Sequence, residues 1–142
     1  MSIIIRKNEL KNVIKEILEY IFNIDEYKTL SVDILGSEST VADEIDTSAE
    51  STPKTVFTPP EGKKISTRNV FLASDSDSGE VECRFKDSNK LICKIYCSKF
   101  KYAQLSNTKI DGEVGEPIII TWSGLSSGAK IFYSIRYKLI SG

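Results

Sequence analysis

The closing run "AKIFYSIRYKLI" (129–140) alternates strictly. Ile131, Tyr133, Ile135, Tyr137 and Leu139 fall on one side, and Phe132, Ser134, Arg136, Lys138 and Ile140 on the other. A period of two is the repeat of a β-strand, whose successive side chains point to opposite faces. Both sides carry apolar residues, which suits a strand inside a sheet rather than at its rim. The same period recurs upstream. In "VECRF", Val81, Cys83 and Phe85 oppose Glu80, Glu82, Arg84 and Lys86. In "LICKIYCS", Leu91, Cys93, Ile95 and Cys97 oppose Ile92, Lys94, Tyr96 and Ser98. In "KISTRNVFLAS", Val70 and Leu72 share a face, and in "PIIITW" Ile118, Ile120 and Trp122 do. The stretches between them, "DSDSG", "KDSNK" and "SGLSSG", have turn chemistry. Six or seven short strands with no helix between them predict an antiparallel β-sandwich or jelly roll over residues 56–142.

The period changes to that of a helix over residues 8–24, "NELKNVIKEILEYIFNI". Asn8 is a plausible N-cap. Leu10, Ile14, Ile17, Ile21 and Ile24 recur at spacings of four and three, with Val13, Leu18 and Phe22 widening the stripe. A helix this short is marginal alone in water, so some surface must cover the stripe. That surface belongs either to the chain's own domain or to a partner. Leu10, Ile14, Ile17 and Ile21 are the candidate protein-interface residues.

Charge separates the two parts. Net charge is −1, but residues 29–53 hold six acids and no Lys or Arg, while residues 54–142 sum to +5. The chain thus divides into an N-terminal helical attachment segment (1–28), an acidic linker or extended arm (29–55) and the β-domain. A balance this near neutral gives no general attraction to nucleic acid or membranes. No apolar run approaches the ~20 residues of a bilayer span. The start, interrupted by charges, is not expected to be a signal peptide.

Residues that could carry chemistry are few. The chain has no His, which removes Ser-His-Asp and Cys-His arrangements and His-based metal centres. No phosphate-cradling glycine motif is present. Asp75, Asp77 and Glu80 in "DSDSGE" have the wrong spacing for a calcium loop and read as a solvated hairpin. Cys83, Cys93 and Cys97 are expected as reduced core residues. On one strand Cys93 and Cys97 lie about 13 Å apart, too far to bond, though Cys83 could meet one of them across strands. "KFKYAQLSNTK" mixes Lys99, Lys101 and Lys109 with Phe100 and Tyr102. Such a mixture can bind single-stranded nucleic acid or glycans, but a loop crossing the sandwich with its aromatics buried is the expectation. Trp122 is expected in the core rather than as a sugar-stacking platform. No cofactor or metal is expected.

The turn-and-strand order "FTPPEGKKISTRNVFLASDSDSGEVECRF", "KLICKIYCSKF", "KIDGEVGEPIIITW" and "KIFYSIRYKLI" resembles a small β-sandwich domain of tailed-bacteriophage virion proteins. The likeness covers about 60% of the chain and transfers no functional residue. It implies a non-enzymatic structural protein, most simply a head decoration or auxiliary capsid protein held to the shell by the N-terminal helix and arm. Tail, baseplate or fibre components and carbohydrate-binding modules are the alternatives. The implied partners are other virion proteins and further copies of the chain, with a host glycan as an option. The implied location is the virion, assembled in the bacterial host cytoplasm.

Overall fold

The computed structural model describes residues 38–142, which form eight strands. These are β1 (Glu38–Asp46), β2 (Lys54–Phe57), β3 (Lys63–Ser74), β4 (Glu80–Phe85), β5 (Leu91–Tyr96), β6 (Tyr102–Leu105), β7 (Ile118–Ser123) and β8 (Lys130–Ser141). They make two four-stranded sheets, ordered β1-β8-β3-β6 and β2-β7-β4-β5, with every pairing antiparallel. Strand β1 pairs with β8, β2 with β7, β3 with β6 and β4 with β5, so the first half of the unit lies against the second in reverse order. The expected antiparallel sandwich is therefore present. The helix expected over residues 8–24, with Leu10, Ile14, Ile17 and Ile21, lies outside the described residues.

The core forms where the two sheets face each other. Ile65, Leu72, Ile131 and Ile135 from the first sheet meet Val81, Phe85, Ile118 and Ile120 from the second, and all are essentially inaccessible to water. The Phe57 and Tyr137 rings, 4.4 Å apart between centroids, join β2 to β8 across the layers. Strand β8 has β1 on one side and β3 on the other. Its residues Ile131, Tyr133, Ile135 and Tyr137 are buried and Phe132 and Arg136 are exposed, the alternation read from the sequence. An internal strand needs an apolar inward face along most of its length, and that accounts for the greasy end of the chain.

Two local expectations are corrected, and β3 adds a feature that alternation does not show. First, within the connector expected over 29–55, Glu38–Asp46 form β1 and Lys54 and Thr55 open β2, and these two strands raise the count to eight. Strand β1 is at an edge and buries only Ile45 fully, so it can be acidic and still pair along its whole length with β8. Second, Leu91 is 48% exposed rather than inward, while Ile92 is buried. The register slips there, with Cys83 opposite Cys93 but Arg84 opposite Leu91, and the extra residue turns Ile92 inward. In β3, Val70 and Leu72 share the inward face as expected, and the parity changes upstream of them. Ile65 and Thr67 are buried before a bulge at Arg68, and Val70, Leu72 and Ser74 after it. The bulge sends the Arg68 guanidinium to the Ser66 hydroxyl at 2.7 Å, and its Nε lies 3.7 Å from Glu38.

Candidate interaction surfaces

Each sheet has an outer face, and the two differ in chemistry. On the β2-β7-β4-β5 sheet, Glu80, Glu82 and Arg84 on β4 stand beside Lys94 and Tyr96 on β5. The Lys94 ammonium lies 2.8 Å from Glu82 and 3.0 Å from Glu80. It also sits 4.7 Å from the centre of the Tyr96 ring. Arg84 closes on Glu82 and donates to the Asn89 side-chain oxygen at 2.5 Å. Hydrogen bonds that Lys94 donates to Glu82 and then Glu80 push its pKa up, and the Lys94 bond holds Glu82 below the usual carboxylate range. Glu80 and Glu82 are thus both partnered by Lys94, and Glu82 by Arg84 as well. Trp122 is half-buried against the core, and its outer edge joins Glu80, Glu82 and Thr121 around a small pocket.

The outer face of the β1-β8-β3-β6 sheet is aromatic at one end. Phe132, Ala73 and Tyr102 lie in register across β8, β3 and β6, with Phe71 one step along β3. The Phe71 and Tyr102 rings stack with centroids 6.5 Å apart. Together they line a shallow groove whose rim carries Asp75 and Lys101. Tyr102 is 65% exposed and Phe100, beside it in sequence, 69%. The expectation that these aromatics are buried is therefore corrected. Strand β6 lies at an edge, and Tyr102 and Gln104 share the outward parity of Phe132 and Phe71. Contiguous apolar surface of this kind marks contact sites more often than isolated exposed side chains do.

The "DSDSGE" loop is not a solvated hairpin. Ser76 is fully buried and its hydroxyl meets the Ser78 carbonyl at 2.7 Å and Ser126 at 2.9 Å, tying the loop to "SGLSSG". Asp75 accepts the Lys130 backbone N–H at 2.7 Å, and Asp77 pairs with Lys101 at 2.5 Å. Gly79 has φ +84°, and a side chain there would clash with the Ser123 carbonyl oxygen. Only glycine fits that crossing of two loops. Among the described residues, no three Cys, Asp or Glu side chains gather as a metal site.

One residue with a defined structural role escaped the sequence reading. Glu116, in "GEVGEP", is 1% exposed. Its carboxylate accepts the backbone N–H groups of Asp87 and Glu113, each at 2.7 Å, and that of Ser88. Burial works against its charge, but the N–H donors of Glu113, Ser88 and Asp87 outweigh it and keep the pKa below its ordinary value. Glu116 thereby clamps the β4–β5 turn to the loop before β7. A loop acid carries no sequence signal for such burial. The three cysteines are free and buried, as expected, with Cys83 directly opposite Cys93.

No family model matches the chain, and no curated protein matches it. Among solved structures it is similar to a chain in the acidic stable capsid structure of Helicobacter pylori bacteriophage KHP30. That match has a TM-score of 0.55 and 11% identity, and covers 75% of this chain and 94% of that chain. At this identity the likeness is one of fold.

Proposed function

We propose that this chain is a non-enzymatic structural component of a tailed-phage virion, specifically a head decoration or auxiliary capsid protein. The observation that carries the reading is the fold match, which spans nearly the whole of a chain from a phage capsid structure. The strand order 1-8-3-6 over 2-7-4-5, with the chain doubled back on itself, supports a jelly roll. In this reading residues 8–24 bind the shell through Leu10, Ile14, Ile17 and Ile21. Their apolar burial is repeated at every copy, so weak single contacts add through avidity. The partners are other virion proteins and further copies of the chain, and assembly occurs in the bacterial host cytoplasm.

Fractionation of native particles tests this. The expected result is that the protein co-sediments with intact heads at fixed stoichiometry and is absent from purified tails. Recovery with tails or baseplates instead assigns it there, and recovery only in the particle-free fraction removes the virion role. A second reading, a glycan site on the aromatic shelf, is favoured by the exposure of Phe100 and Tyr102. A glycan array with the wild type and Tyr102→Ala decides it, since a shelf-dependent signal must vanish in the variant.

A further inference from the structure

The two edge strands of the β1-β8-β3-β6 sheet carry opposite charge. Strand β1 and the turn after it hold Glu38, Asp43, Glu44, Asp46 and Glu50, with no Lys or Arg from residue 29 to residue 53. At the far edge, β6 is flanked by Lys99, Lys101 and Lys109, with no acid from residue 98 to residue 110. Part of this charge is already paired: Glu38 with Arg136 at 2.6 Å, Glu44 with Lys130 at 2.8 Å, and Lys101 with Asp77. Asp43, Asp46, Lys99 and Lys109 have no ion-pair partner among the described residues. Among those residues β1 has only β8 as a strand neighbour and β6 only β3, so each leaves one side of its backbone open to pairing.

We propose that copies of this chain join head to tail, with β1 of one copy adding to β6 of the next so that the sheet runs on between them. Strand direction permits it. Each of the three pairings in the order β1-β8-β3-β6 is antiparallel, so β1 and β6 run in opposite senses. A second copy shifted along the sheet without being turned over therefore presents β1 antiparallel to β6, the pairing that is slightly the more stable. Charge selects the same arrangement. Two β1 edges repel through their acids and two β6 edges through their lysines, whereas β1 against β6 attracts.

The faces also match. Outward side chains on β1 are Ala42 and Glu44, in register with Ser134 and Phe132, and those on β6 are Tyr102 and Gln104. A register with Ala42 opposite Gln104 sets Glu44 against Tyr102 and Val41 against exposed Leu105. It also brings Lys99 and Lys101 alongside Asp46 and Glu44. The interface is heterologous, so it propagates as a ring or an open chain rather than stopping at a dimer. It does not depend on which particle, if any, the protein enters.

The test is engineered cross-linking in the full chain. Ala42 and Gln104 are both exposed, and the native thiols are buried. The double variant Ala42→Cys/Gln104→Cys, oxidised at high protein concentration and low salt, is expected to give a ladder of disulfide-linked multimers or one closed ring. High salt applied before oxidation should suppress it. Each single variant should give little cross-linked product. Circular dichroism and the melting transition confirm that the variants fold. Dimers from Ala42→Cys alone, in yield equal to that of the double variant, would mean symmetric β1–β1 pairing and overturn the proposal. A folded double variant that stays monomeric would overturn it too. Either failure leaves the fractionation result, and so the virion reading, untouched.

Discussion

Two kinds of buried polar or reactive residue bear most on stability at the scale of single side chains. Glu116 is held ionised by three backbone donors inside the fold, with its pKa below the ordinary carboxylate value. A lowered pKa means that its stabilisation is present above the unfolded-state value and is lost as pH falls through the folded one. Glu116→Gln keeps the shape but turns an NH2 group toward N–H donors. It is expected to cost on the order of 2–3 kcal/mol at neutral pH. The melting temperature of the variant, measured from about pH 7 to about pH 3, should start lower than the wild type's and fall less steeply. Equal curves would show that Glu116 is no clamp. The cysteines make a second residue-scale case. Burial first, and the facing Cys93 second, push the Cys83 thiol far up, and burial raises Cys93 and Cys97 as well. The reactive thiolate is therefore scarce. Thiol reagents at neutral pH should react very slowly with the folded protein and find three thiols after denaturation without reductant. A count of one would mean that a disulfide had formed, and Cys83–Cys93, directly opposite one another, would be the pair to examine.

At the scale of strands, β8 is where the sheet depends on the end of the chain. It lies between β1 and β3, and Ile131, Tyr133, Ile135 and Tyr137 all point into the core. At roughly 1.5–3 kcal/mol for each buried side chain, their loss is comparable to the whole stability of an ordinary domain. Deleting residues 129–142 is expected to abolish the cooperative melt, read by circular dichroism. A truncated protein that still melts cooperatively would mean that the other strands can close the core alone. Legibility follows the same physics. Strands with one buried and one wet face announce themselves by alternation, as β4 and β8 do. Edge strands need few apolar residues, so acidic β1 reads as a linker. Bulges at Arg68 and Ile92 break the period, so alternation alone puts Leu91 on the wrong face and shows only Val70 and Leu72 of β3. Phe100 and Tyr102 escape sequence reading for a related reason. In sequence an exposed aromatic shelf looks the same as a buried one, because hydrophobicity alone does not say which side of a sheet has a neighbour.

The largest scale concerns what the β-unit is attached to. Among the described residues the buried cluster runs from Ile45 to Tyr137. The stripe Leu10, Ile14, Ile17 and Ile21 still has a strong reason to leave water, at roughly 1.5–3 kcal/mol for each side chain. If that stripe serves attachment, its disruption must separate two properties that a core mutation would lose together. Ile14→Asp with Ile17→Asp places two charges on the apolar face. The expected outcome is a melting temperature of the β-unit within about 2 °C of the wild type's, the shift of a change well below 1 kcal/mol in a domain of this size. Incorporation into particles should be lost in the same variant. The same substitutions leave the β1 and β6 edges intact, so head-to-tail cross-linking through Ala42→Cys/Gln104→Cys should persist when particle binding is gone. Unfolding of the β-unit by the double substitution would instead make the stripe part of that unit's own core, and the attachment role would pass to the aromatic shelf of Phe71, Tyr102 and Phe132.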